Sequence, residues 1–397
     1  MGVSRRQTVL LASFYGCYFA ALGSWLPYWP VYLHSIGFNL QQIGWLTAIA
    51  LGVKVVAPLF WGQLADRVGR YRVTIVATLL TSASFTLFFF SRDFDEMAWV
   101  TAVYNFCNSG PMALVETTTL EVVSGQDGAY GKIRRWGSVG FIVTSFGVGW
   151  LLDRTQPALL LPIIWGWLVV GAMLSLLVPQ QSTTASATTT TGPAVTTPVS
   201  WSPWYHPSAP WFYLAAMAMQ FSHGAYYGFM SLHLQQHGFS ATAIGLLWTL
   251  GVVAEIVLMS YSSRLLGRWG IVPVLSLSLL MAVLRWSMYA MPPTWSLLLA
   301  GQLLHAFTFA AFHIASVRWI YHHSSPAARA TAQAWYASLA YGVGGSLGLA
   351  AAGSLFADRG AATLFLVMAC VASLGWLASR RVTDTPPVTN SSCKPRN

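Results

Sequence analysis

The sequence predicts an all-α membrane protein: 12 transmembrane helices in two six-helix bundles, with both termini in the cytoplasm. Three observations predict it. Of 397 residues, 55% are hydrophobic and only 8% are Asp, Glu, Lys or Arg. Soluble domains carry about a quarter charged residues, so a chain this long has too few charges to cover a water-soluble core. The apolar residues gather into 12 runs of the ~20 residues that a helix needs to cross the hydrocarbon layer. Lys and Arg then fall on alternate connections, as topology requires.

In order, the predicted spans are 8–33, 42–64, 71–91, 96–120, 136–153, 158–178, 209–234, 241–263, 270–291, 294–318, 329–356 and 360–379. The first follows Arg5 and Arg6. It is apolar for longer than a signal-peptide core and lacks an evident small-residue cleavage site, so it reads as a permanent span. Connections are short except 179–207, rich in Thr, Ser and Pro, a composition that cannot bury apolar surface and suits a flexible linker. The expected units are therefore an N-terminal bundle at 1–178, the linker at 179–207, a C-terminal bundle at 208–380 and a tail at 381–397.

With a cytoplasmic N-terminus, 16 of the 21 Lys and Arg lie inside, three lie outside (Arg92, Arg154, Arg359) and two, Lys54 and Arg285, lie within spans. The net charge of +10 is thus a topology signal, and no nucleic-acid partner is expected. The 19 Trp, 16 Tyr and 21 Phe suit many membrane–water interfaces. Cys17, Cys107 and Cys370 lie in apolar runs and Cys393 in the tail, with no disulfide framework. His322 and His323 are adjacent with no cysteine beside them, so no metal or other cofactor is expected. His-Glu-x-x-His is absent, and the Gly-x-Ser-x-Gly match at Gly344 to Gly348 lies inside a predicted apolar span and not on a strand-to-helix elbow, which argues against an intramembrane enzyme. A channel would show a filter loop.

A pattern recurs every three spans. After span 2 the chain reads Gly62-x-x-x-Asp66-Arg67-x-Gly69-Arg70-x-Arg72. Span 5 ends in Gly149-x-x-x-Asp153-Arg154, span 11 in Gly353 to Asp358-Arg359, and span 8 in a form without the acid, Arg264 to Gly267-Arg268. Such periodicity fits a transporter built from three-helix repeats, although Gly and Asp-Arg also simply end helices.

The first copy resembles the signature loop of the major facilitator superfamily, and the layout of six spans, linker and six spans resembles that family along the whole chain. The resemblance implies that Gly62, Asp66, Arg67, Gly69, Arg70 and Arg72 belong to conformational machinery. Four further segments are similar to the 3-phenylpropionate permease branch, relatives of lactose permease-type proton symporters: Leu26 to Trp29, Ala225 to Phe229, Tyr130 to Val139, and Leu247 to Glu255.

An ionisable group at mid-bilayer costs roughly 3 kcal/mol on insertion scales and usually faces the bundle interior. Lys54, Glu116, Glu255, Arg285, His305, His313 and His223 are such groups. Asn105, Asn108, Met112 and Glu116 step by three or four, so they share a helix face. Glu116 and Arg134 match the separation of a substrate-binding charge pair in the lactose-type symporters; a structural ion pair is the other reading. Glu255, Arg285 and His305 resemble the order of those symporters' proton-coupling residues. That pattern has an acid three residues after the His, where this chain has Thr308, and a Lys near the position of Tyr341. Coupling would then fall to Glu255 or Glu116. Lys54, with no acid nearby in sequence, favours an organic anion. His223 and Tyr227 share a stripe in span 7, where the bland reading is helix packing.

The resemblance implies a secondary transporter, a monomer in the bacterial inner membrane, surrounded by lipid and moving a small-molecule substrate with protons. A 3-phenylpropionate-like carboxylate is the expected substrate, with a sugar or nucleoside as the alternative.

Overall fold

The structure, a computed structural model, describes residues 4–123, 129–177, 206–325 and 328–384. Its helices form the 12 expected spans. Eight stretches are long and apolar enough to cross a membrane on composition alone. One of them, Thr331–Ser379, holds two spans, divided at Gly360, whose φ of 76° turns the chain between spans 11 and 12. The three helices below that mark are Phe94–Val122, Ala129–Leu152 and Ala209–Gln236. These are spans 4, 5 and 7, and they carry Asn105, Asn108, Glu116, Arg134, His223 and Tyr227. Polar groups lowered their hydropathy because they face protein or a cavity instead of lipid.

Span 5 begins at Ala129, not at 136. Lys132, Arg134 and Arg135 occupy its first turns; charge made this stretch read as loop, but helical backbone tolerates charge at a wet end. The proposed linker lies outside the described residues apart from 206 and 207, and the tail likewise apart from 381–384.

Local chemistry sets the ends of the helices. Ser4 with Gln7 and Asn39 with Gln42 form capping boxes before spans 1 and 2, satisfying backbone donors that helices leave open. The cytoplasmic turns after spans 2 and 8 pivot on Gly69 and Gly270, with φ of 101° and 82°, a backbone region that favours glycine.

The halves meet through spans 1, 2 and 5 on one side and spans 7, 8 and 11 on the other. At the outer end they close on glycine. A Cβ on Gly44 of span 2 would stand 2.9 Å from Gly353 Cα of span 11, and one on Gly149 of span 5 would stand 2.8 Å from the Ala241 carbonyl carbon at the start of span 8. The Tyr28 hydroxyl of span 1 donates to the Ser145 carbonyl and lies 3.1 Å from the Ala241 carbonyl. At the cytoplasmic end, Ala57–Val68 and Arg329–Tyr336, the lower parts of spans 2 and 11, share no extended packing. The space between the halves therefore opens toward the cytoplasm.

Candidate functional site at the midplane

Three stretches near mid-membrane depart from α-helix: a 3-10 turn at Val53–Val55 in span 2, and π-helical segments at Ala306–Ala311 in span 10 and Ala337–Gly345 in span 11. Irregular backbone at that depth survives where it is buried in protein or lines a cavity, and π segments often mark functional sites. The first has a local cause. Pro58 has no N–H to offer the Lys54 carbonyl, so the helix restarts at Ala57.

Lys54 lies in that break. Thr47, Leu51 and Lys54 are three or four residues apart and share a face. Leu51 Cδ2 lies 2.6 Å from where Gly345 of span 11 would carry a Cβ, and Thr47 Oγ1 lies 3.9 Å from the same point on Gly228 of span 7. That face looks at the opposite half. Lys54 is exposed there, and no carboxylate pairs with it among the described residues.

In the C-terminal half the expected residues come together as a chain. Arg285 is fully buried. Its Nη1 donates to His305 Nδ1 at 2.8 Å and to Thr308 Oγ1 at 3.2 Å. Arginine has only donors, so His305 Nδ1 is the acceptor and the proton of its neutral ring belongs on Nε2. That nitrogen lies 2.8 Å from Glu255 Oε1. Thr308 Oγ1 is also 3.3 Å from His223 Nε2, and His223 Nδ1 is 2.8 Å from the Met219 carbonyl. Thr308, the departure from the lactose-type pattern, thus gives Arg285 a neutral partner, and Glu255 meets Arg285 through His305. The guanidinium lies 4.3 Å over the Tyr226 ring and 4.7 Å over Trp286. Its Nε and Nη2 have no acceptor among the described residues. Tyr227 is half-buried, its ring 5.8 Å from that of His223. His313 Nδ1 and the Tyr341 hydroxyl, in spans 10 and 11, are 3.1 Å apart.

The N-terminal half is arranged differently from expectation. Glu116 and Arg134 form no ion pair. Glu116 accepts from the Tyr130 hydroxyl, and the Arg134 guanidinium lies 4.1 Å over Phe19 and 5.5 Å from the Tyr15 ring centre. The cation takes aromatic faces because spans 1 and 5 pack at glycines: a Cβ on Gly137 would strike both Phe19 and Arg134. Asn105 is turned into the bundle, its Nδ2 donating to Thr101 O at 2.9 Å, and Asn108 lines a small gap beside Tyr18 and Pro111. In the signature loop, Arg70 pairs with Glu121 at 2.6 Å. Among the described residues Asp66 forms no ion pair, and nothing approaches within 4 Å of a Cβ built on Gly62. Arg67 and Arg72 are exposed.

Two features escaped the sequence reading. One is a repeat between the halves: Gly37, Phe38, Ile43, Gly44 and Gly69 recur 201 residues later as Gly238, Phe239, Ile244, Gly245 and Gly270. The same offset carries Lys54 onto Glu255, so a cation and a carboxylate hold corresponding places in spans 2 and 8. The other is a latch. Asp153, in the loop after span 5, accepts from Ala241 N at 2.6 Å and Thr242 N at 2.9 Å, capping the first turn of span 8 across the two halves. Partial burial pulls its pKa up, but the hydrogen bonds from Thr242 and Ala241 outweigh this and hold it below the usual carboxylate range. A depressed pKa means that the latch is fully present above the ordinary value and is lost only as pH falls through the lowered one. Mild external acid should therefore leave it intact. Loss of a cap costs about 0.5–2 kcal/mol, so Asp153→Ala is expected to raise the outward-open population by roughly 2- to 30-fold. External thiol labelling of an interfacial cysteine would measure this; an unchanged labelling rate would remove the latch role.

A model of the MFS_1 like family matches residues 8–367. The chain belongs to that family. It is a major facilitator superfamily transporter, not an enzyme, and a multi-pass membrane protein. It is 29% identical over 323 residues to the probable 3-phenylpropionic acid transporter of Escherichia coli (strain K12), covering 79% of this chain and 82% of that one. It is 28% identical over 305 residues to the maltose permease of Geobacillus stearothermophilus, covering 74% of each. Its fold matches the crystal structure of nucleoside transporter NupG with a TM-score of 0.80 at 20% identity, over 94% of this chain and 98% of that one. A bacterial homologue of the human lysosomal transporter Spinster, in an inward-facing and unoccupied conformation, gives 0.70 at 14% identity, over 96% and 98%.

Proposed function

We propose that this transporter carries a small organic acid, an aromatic carboxylate of the 3-phenylpropionate kind, together with a proton across the bacterial inner membrane. The observation that carries the proposal is Lys54. A lysine at mid-membrane, facing the other half with no carboxylate against it, is a place for a substrate carboxylate; a neutral solute would leave that charge uncompensated. The likeness to a probable 3-phenylpropionic acid transporter supports the same class. Tyr18, Tyr227 and Phe309 offer aromatic faces for the ring.

Glu255 carries the proton. His305 presents Nε2–H to it, and Arg285 fixes that tautomer from the other side, so the network has one carboxylate that can load and unload. With Thr308 in place of an acid, Arg285 stays where it is while Glu255 changes charge. Access alternates around this midplane site as the halves rock. Glu116, Arg134 and Asn108 shape the N-terminal wall, His223 backs Thr308 from behind, and Asn105 supports span 4 from inside the bundle.

Proton movement in inner-membrane vesicles tests the reading. Adding 3-phenylpropionate should alkalinise the outer medium. Glu255→Gln should cut that response to background while isotope exchange of the substrate continues. Alkalinisation with maltose or a galactoside and none with the aromatic acid would overturn the substrate class. An undiminished response in Glu255→Gln would overturn the proton assignment.

A further inference from the structure

Spans 7, 11 and 12 meet on the lipid-facing side at small residues. A Cβ on Gly375 of span 12 would stand 2.8 Å from Ala218 Cβ of span 7, and one on Gly344 of span 11 would stand 2.8 Å from the Met217 carbonyl oxygen. Between the leucines that flank these contacts runs a groove of about 520 Å³, lined by Leu214, Met217, Phe221, Leu347 and Leu374 and ending at Arg381. Leu214, Leu347 and Leu374 are exposed, so the groove opens to the membrane and not to the midplane site. Along span 7 it runs from Trp211 to Phe221, about 15 Å at 1.5 Å per residue. That is half of a hydrocarbon core of about 30 Å, the depth of one leaflet. At its cytoplasmic mouth the Arg381 guanidinium lies 4.5 Å over the Trp211 ring, exposed and without a carboxylate partner among the described residues.

We propose that this groove is a binding site for an anionic phospholipid of the cytoplasmic leaflet, one acyl chain lying along it and the phosphate on Arg381. An apolar trough one leaflet deep with a single fixed cation at its wet end matches an acyl chain joined to an anionic headgroup. Stacking on Trp211 limits the side chain's freedom, so little is lost on binding. Arg380, whose guanidinium lies 6.0 Å from the Trp376 ring centre, is not part of the groove. It serves as a control for general surface charge.

The test uses the full chain, purified and exchanged into detergent containing either phosphatidylglycerol or phosphatidylcholine of the same chains, with bound lipid counted by native mass spectrometry. The first lipid should be retained in preference to the second. Arg381→Ala should reduce that preference by about fivefold, the contribution of one basic residue at an anionic surface. Arg380→Ala should leave it unchanged. Leu374→Trp, which narrows the trough at an exposed lining residue and leaves Arg381 in place, should lower retention of both lipids. Arg381→Lys should restore most of the preference, which separates charge from folding. Glycerol phosphate should not compete. Equal retention of both lipids by the parent overturns the proposal. So does an unchanged preference in Arg381→Ala, an equal loss in Arg380→Ala, or displacement by glycerol phosphate, which would mark a simple phosphate site.

Discussion

Lys54→Ala is expected to weaken binding of an aromatic carboxylate by one to two orders of magnitude. A hydrogen bond to a charged group contributes about 1.5–3 kcal/mol, or roughly 10- to 150-fold in affinity. The break at Val53–Val55 is set by Pro58 and not by the lysine, so the backbone should keep its course in the variant. Lys54→Arg should recover part of the loss, because the charge returns with different reach and geometry. Saturation of substrate exchange in proteoliposomes gives the affinity. A decisive comparison is the amide of the same acid, which has no carboxylate and should bind the parent and Lys54→Ala alike. If the alanine variant kept full affinity for the acid, Lys54 would be structural and the organic-acid reading would lose its support.

The second large effect is expected at Gly245. A Cβ there would meet the Ser145 carbonyl oxygen and the Tyr28 hydroxyl, and would lie 2.9 Å from the Ser145 carbonyl carbon. Extra methylenes in a packed core cost about 1–3 kcal/mol. Here the obstacle is backbone, which cannot rotate aside, so Gly245→Leu belongs at the top of that range or above it. The outer end then cannot shut, and the closed population should fall by roughly a hundredfold. The probe is Thr47→Cys in a background free of other cysteines, because Thr47 lies between the halves. A membrane-impermeant thiol reagent added outside should label it slowly in the parent and quickly in Gly245→Leu, with net transport lost. Gly147→Leu is the control: that glycine is exposed and a Cβ on it meets nothing within 4 Å. Slow labelling in Gly245→Leu would mean that the glycine contact does not govern closure.

Much of this architecture was legible in the sequence because lipid imposes a simple rule. A helix must be apolar for a fixed length, and its flanking charges fix the direction. That rule located 12 spans and put the break between spans 11 and 12 at 357–359, just before the turn at Gly360. It misplaced the start of span 5, where Arg134 lies on a helical turn that faces aromatic rings. The chain from Glu255 through His305 and Arg285 was readable as buried charges in neighbouring spans. The expected Glu116–Arg134 pair did not form, because spacing along two helices says nothing of what else competes for each group: Phe19 and Tyr15 take the guanidinium, and the Tyr130 hydroxyl takes Glu116. The π segments around Thr308 and Tyr341 left no trace in hydropathy, since they change hydrogen-bond register and not composition. Pro58 beside Lys54, and the 201-residue offset joining Lys54 to Glu255, were visible signals. They needed the two halves to be laid over each other.

The glycine contacts at the outer end bear on leakage. Backbone surfaces touching at van der Waals distance attract over a very short range; a gap of 0.5–1 Å already forfeits a quarter to a half of the well. The directional bonds described across that end are those of Tyr28 and Asp153. Once a small rotation parts the surfaces, the remaining contacts weaken together, so a half-open seal has little to hold it. Closure then approaches all-or-none, and the carrier spends little time with both ends ajar, when solute and ions would run through it as through a pore.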